Sequence, residues 1–107
     1  MRGNSMNTQL RIYTIKSGLM SEWLILFKEK VVPLHEQYKI NVIGAWVDNE
    51  HSQFCWVRQF NGEGTIEEQE EHYRNSPDRA AIIGDEPKRF IENMELRIVD
   101  QIYPSTT

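Results

Sequence analysis

The segment Phe54-Cys55-Trp56-Val57-Arg58-Gln59-Phe60 has the residue types of a β-strand, yet neither of its faces suits water. Strand side chains alternate, so Phe54, Trp56, Arg58 and Phe60 share one face while Cys55, Val57 and Gln59 share the other. With 107 residues the chain forms one domain, and one such domain covers one face of a sheet with its own helices. The expectation is that Cys55 and Val57 lie beneath those helices. The face bearing two Phe, one Trp and an Arg then needs a partner or a ligand.

The elements around this strand are legible from local signals. Leu10 to Lys16 is a β-branched and aromatic run closed by Ser17-Gly18, which predicts a first strand. Met20, Trp23, Leu24, Phe27, Val31, Leu34 and Tyr38 recur at helical spacing, and Pro33 inside that run predicts a kink or a restart. Asn41 to Asp48 predicts a second strand, joined to the opening one by the polar turn Asp48-Asn49-Glu50-His51-Ser52. Thr65 and Glu68 form a capping-box pair at the start of a second helix, and Ser76-Pro77 caps a restart after Asn75. Gly84-Asp85-Glu86-Pro87 breaks the chain again. Asn93 to Tyr103 alternates as a closing strand.

The order βαββαβ predicts an α+β, ferredoxin-like domain whose four-stranded antiparallel sheet carries both helices on one face. Residues 1–8 read as a flexible leader, 9–103 as the single domain and 104–107 as a disordered tail. Leu10, Ile12, Cys55, Val57, Met94, Leu96 and Ile98 form an aliphatic set suited to packing under helices. Arg11, Tyr13, Trp46, Trp56, Arg58, Phe60, Glu95 and Arg97 form the opposite set, too apolar for water and too charged for a dry core. Two such faces closing on each other as a dimeric barrel would bury the aromatics and leave the charges to pair or to line a pocket.

Composition narrows the function classes. The net charge of −4 and the dispersed arginines argue against a nucleic-acid surface. No apolar run approaches the roughly 20 residues of a membrane span. The lone Cys55 cannot form an intrachain disulfide and fits a reducing, cytoplasmic setting.

Four segments resemble the NIPSNAP family, a branch of the dimeric α+β barrel superfamily. They are Gln9-Leu10-Arg11-Ile12-Tyr13-Thr14-Ile15-Lys16-Ser17-Gly18, Ile43-Gly44-Ala45-Trp46, the Trp-x-Arg-x-Phe pattern of Trp56, Arg58 and Phe60, and His72-Tyr73-Arg74-Asn75-Ser76-Pro77. Two positions depart from the family pattern, Ser17 where proline is commoner and Arg79 where a tryptophan often stands. The resemblance implies a homodimer joined through the sheet face. Related barrels include cofactor-free monooxygenases, isomerases and haem-binding enzymes, and fold alone does not choose among them.

The candidate binding residues are Arg11, Tyr13, Trp46, Trp56, Arg58 and Arg97: guanidinium groups beside aromatic walls suit a small anionic or aromatic molecule. The alternative is that Glu95 and Asp48 neutralise these arginines across a dimer. His72 with Tyr73 is the candidate general base or haem ligand, against the plainer reading of an exposed histidine. His35, His51 and His72 have no metal-site spacing, and no cofactor is called for. The acidic run Glu67 to Glu71 reads as a solvated helix face. A non-enzymatic protein-interaction scaffold is the rival to ligand binding.

Overall fold

A computed structural model describes residues 7–104; the expected leader and tail fall almost wholly outside them. Strand β1 is Thr8–Ile15, and Gly18, with φ +80°, turns the chain into helix α1, Met20–Leu26. A π-helical turn, Phe27–Val31, leads into α2, Val32–Gln37. This widened turn ends at Val31, two residues before Pro33, which has no N–H to give, so the helix runs through the expected kink as a π-bulge. Strands β2, Ile40–Asp48, and β3, Gln53–Phe60, form the hairpin. Helix α3, Ile66–Arg74, starts on a complete Thr65–Glu68 capping box, and α4, Pro77–Ile82, starts on the Ser76 hydroxyl. The short α5, Glu86–Phe90, runs directly into β4, Ile91–Val99.

All strand pairs are antiparallel and the sheet order is β2-β3-β1-β4, the ferredoxin-like arrangement expected from the element order. No helix among the described residues is long and apolar enough to cross a membrane.

The helices cover the opposite face from the one expected. Phe54, Trp56, Arg58 and Phe60 are 1–4% exposed and pack, with Tyr13 and Ile15 of β1, against Trp23, Phe27, Val31, Leu34, Tyr73 and Phe90. Phe54 alone sits 4.7 Å from the Phe27 ring and 5.5 Å from Trp23, both edge-on. The largest apolar surfaces of strand and helix bury each other, which removes more area from water than covering Cys55 and Val57 would. Leu10, Ile12, Cys55 and Val57 remain on the open face, only partly shielded.

The two edge strands keep the sides expected of them, so the exchange of faces is confined to β1 and β3 and the expected sets are regrouped. A bulge between Val42 and Gly44 in β2 shifts the register, so Trp46 pairs with Cys55 and lies on the open face, 57% exposed. Its ring folds back over Gly44, where an added Cβ would come within 2.9 Å of it. In β4 the pairings Met94 with Tyr13, Leu96 with Arg11 and Ile98 with Gln9 put those aliphatic residues on the helix side, while Glu95 and Arg97 face the open side. Parity in a strand is set by its neighbour's register, which alternation within β4 cannot reveal.

Phe54→Ala should lower the unfolding free energy by about 3–5 kcal/mol in urea titrations, because it empties the aromatic core. The adjacent Cys55→Ala, on the open face, should cost about 1 kcal/mol or less.

Candidate functional site

Arg58 projects from β3 into the space beneath the helices, with 5% of its side chain exposed. A guanidinium so far from water needs an acceptor on each edge. Its Nε donates to Gln9 Oε1 at 2.8 Å, one Nη donates to His35 Nε2 at 2.8 Å, and the other donates to Glu70 Oε2 at 2.6 Å. Strand β1, helix α2 and helix α3 thus each supply one acceptor. The Trp56 and Phe60 rings flank the guanidinium, with centroids 5.4 and 5.0 Å away.

Arg11 stands beside it on β1. Its Nε donates to the Tyr13 hydroxyl at 2.8 Å and its Nη1 to Gln9 Oε1 at 2.8 Å, with Glu70 Oε2 3.4 Å away. Its Nη2 meets the Met94 thioether at 3.3 Å, a weak acceptor for a cationic donor. One carboxylate oxygen of Glu70 therefore serves two guanidinium groups, and positive charge exceeds negative in the cluster. Arg74 adds a third, exposed guanidinium 3.9 Å from the same oxygen.

His35 is neutral and held in one tautomer. Its Nδ1–H donates to the Val31 carbonyl at 2.8 Å, which leaves Nε2 as the acceptor for Arg58. Burial, then the Arg58 charge, pushes its pKa down to about 3. The ring lies tilted against Tyr73 with centroids 4.3 Å apart and meets Trp56 edge-on at 5.2 Å. Burial raises the Tyr73 pKa, and Arg79, where the family pattern favours tryptophan, sits over the Tyr73 ring at 5.9 Å. Burial and the neighbouring Arg11 lower Arg58 to about 10, which leaves it charged at neutral pH.

Of the expected binding residues, Arg11, Tyr13, Trp56 and Arg58 come together, inside the chain rather than between two sheets. Trp46 and Arg97 do not join them. The expected neutralising groups also differ: Glu95 lies 3.9 Å from Arg97, Asp48 pairs with His51 at 2.8 Å, and the arginines are met by Glu70 from the acidic run taken for a solvated face. Tyr73 is buried against His35, whereas its neighbour His72 is exposed, 5.5 Å from Tyr38. His72 lines two shallow clefts of about 400 and 340 Å³ with Tyr38 and Glu68, apart from the arginines. No group of three or more potential metal ligands occurs among the described residues.

Sequence patterning did not point to Gln9, His35 or Glu70, although helical spacing held a signal for two of them. His35 follows Val31 by four residues and so shares its inward face; Glu70 lies four after Ile66 and three before Tyr73. Polar residues on an apolar stripe require buried partners.

Fold and cluster together define a ferredoxin-like α+β domain with a polar network sealed between sheet and helices. The chain belongs to the NIPSNAP family, whose model matches residues 8–104. A NIPSNAP family protein from Agrobacterium tumefaciens is similar in structure, with 25% identity, a TM-score of 0.74 and coverage of 92% of this chain and 95% of that one. An uncharacterised NIPSNAP domain protein from Burkholderia xenovorans superposes with a TM-score of 0.71 at 18% identity, covering 90% and 95%. A proposed antibiotic biosynthesis monooxygenase from Bacteroides thetaiotaomicron shares the fold at 13% identity, with a TM-score of 0.67 and coverage of 94% and 92%. No curated protein matches the chain.

The buried neutral His35 makes stability depend on pH. Its pKa is lowered on folding from the usual 6.5 to about 3, so its contribution is complete above pH 6.5 and is lost as pH falls towards 3. Unfolding free energy should drop by about 1.4 kcal/mol per pH unit across that window from this group. In urea titrations from pH 7 to 5, His35→Gln should lose less than half as much stability as the parent chain.

Proposed function

We propose that this protein is a homodimer that binds a small anionic or aromatic molecule at Arg11, beside the buried Arg58. The observation that carries the reading is the sharing of one Glu70 oxygen by two guanidinium groups, with Arg11 Nη2 left against a thioether. Incoming carboxylate or phenolate oxygens would replace that sulfur and supply the missing negative charge. Arg11 is the contact group, since 11% of its side chain reaches solvent, while Gln9 and Tyr13 hold it in place. The Trp56 ring, 5.8 Å from the Arg11 guanidinium, supplies the aromatic wall.

The dimer contact would be the open face, where Leu10, Ile12, Cys55 and Val57 lie partly shielded beside the exposed Trp46. A second copy meeting it face to face would bury these apolar groups, and Arg97 and Glu95 would sit at that contact's edge. This leaves the arginine cluster on the other side of the sheet. Dimerisation and ligand binding are thereby separable. A scaffold reading draws on Arg58, whose three nitrogens are satisfied within the chain. Cofactor-free monooxygenase or isomerase chemistry draws on the fold shared with the proposed monooxygenase, although His35, at about 3, and Arg58, at about 10, both lie far from the neutral range that favours proton transfer.

Light scattering at micromolar concentration should give the mass of a dimer, and Val57→Lys should give a monomer. Calorimetry with benzoate should show binding that Arg11→Met weakens at least tenfold while leaving the dimer intact. Absence of benzoate binding to the parent chain, or equal binding by Arg11→Met, would count against the site.

A further inference from the structure

Strand β4 is one of the two outer strands of the sheet, and its helix side is left bare. Met94, Leu96 and Ile98 alternate along it and remain 44, 48 and 38% exposed, although their register partners Tyr13, Arg11 and Gln9 all belong to the buried cluster. A row of three large aliphatic side chains in water beside a sealed core is a cost without a structural return. The row covers four residue steps, about 13 Å at strand spacing.

Its electrical setting is the reverse of a plain apolar patch. Arg11 reaches the end of this row, its Nη2 on the Met94 sulfur, and Arg74 lies 3.9 Å from Glu70 with 57% of its side chain exposed. An apolar strip with a cationic group at one end matches a molecule with an apolar body and an anionic head. The strip is longer than a single aromatic ring and made of flexible aliphatic groups, so a linear body fits it better than a flat one. It also lies on the opposite side of the sheet from Trp46 and Val57, and a dimer formed through the open face leaves it free.

We infer that Met94, Leu96 and Ile98 form the tail subsite for a linear aliphatic monocarboxylate whose head is held by Arg11. This rests on the assignment of Arg11 as the anion contact and adds the chemical class of the ligand. The carboxylate replaces the Met94 sulfur at Nη2, and the chain runs along β4 towards Ile98. Each methylene that is fully covered adds about fourfold to affinity, and a chain lying on an open strip is about half covered.

The test compares hexanoate, decanoate and benzoate by calorimetry on the full chain and on the double variant Leu96→Asn, Ile98→Asn. Decanoate should bind at least tenfold more tightly than hexanoate to the parent chain. The double variant should lose that gain yet bind benzoate as the parent does, which also shows that it is folded. Decyltrimethylammonium, with the same tail and the opposite charge, should not bind. Equal affinity for hexanoate and decanoate, a chain-length gain that survives in the double variant, or binding of the cationic probe would each overturn the inference. So would conversion of a parental dimer to a monomer by the double variant, since a second copy would then cover the strip. If benzoate binding depends on Arg11 while chain length has no effect, the tail subsite fails and the anion contact stands.

Discussion

Arg58 places a full positive charge between the sheet and the helices, where almost no water reaches it. Leaving such a group unpaired would cost several kcal/mol, so its three acceptors constrain the elements that carry them. Gln9 ties the charge to β1, His35 to α2 and Glu70 to α3. These bonds give direction to a contact that the aromatic core alone would leave adjustable, because ring packing tolerates sliding more readily than a guanidinium tolerates a lost acceptor. The position of α3 over the sheet follows from where Glu70 must sit.

The same network explains why a histidine in a helix interior is neutral. His35 accepts from Arg58 and donates to a backbone carbonyl, and a second ring proton would point straight at the guanidinium. Charge in the cluster therefore resides in two arginines and one glutamate, with Tyr73 and Trp56 as walls. Glu70 is the partly exposed member, and Arg11 stands between it and the bare side of β4. The interior is thus sealed around Arg58 and more open around Arg11, so two arginines of a single cluster differ in their access to solvent.

Local signals carried much of the fold. The Thr65–Glu68 capping box, the Ser76 cap before Pro77 and the turn after Asp48 involve residues within a few positions of each other, and each was readable as a pattern. The family motif around Trp56, Arg58 and Phe60 was equally visible, and it marked the residues that form the cluster. Their partners were less visible because hydrogen bonds from Arg58 span 49, 23 and 12 residues along the chain. Glu70 looked like one of several surface carboxylates, and only its place on the stripe of Ile66 and Tyr73 set it apart.

The sequence by itself determined the order of elements, the helix starts and the fact that Phe54 to Phe60 has no water-facing side, because alternation and capping are local properties. Tertiary structure decided which of those two sides the helices would take. Burying Phe54, Trp56 and Phe60 against Trp23, Phe27 and Phe90 brings the larger apolar areas together, and it carries Arg58 inward to acceptors on three separate elements. It also decided, through the β2 bulge and the β1–β4 register, that Trp46 would face outward and that Met94, Leu96 and Ile98 would lie beside Arg11. Register is a relation between strands distant in the chain, and no pattern within one strand contains it.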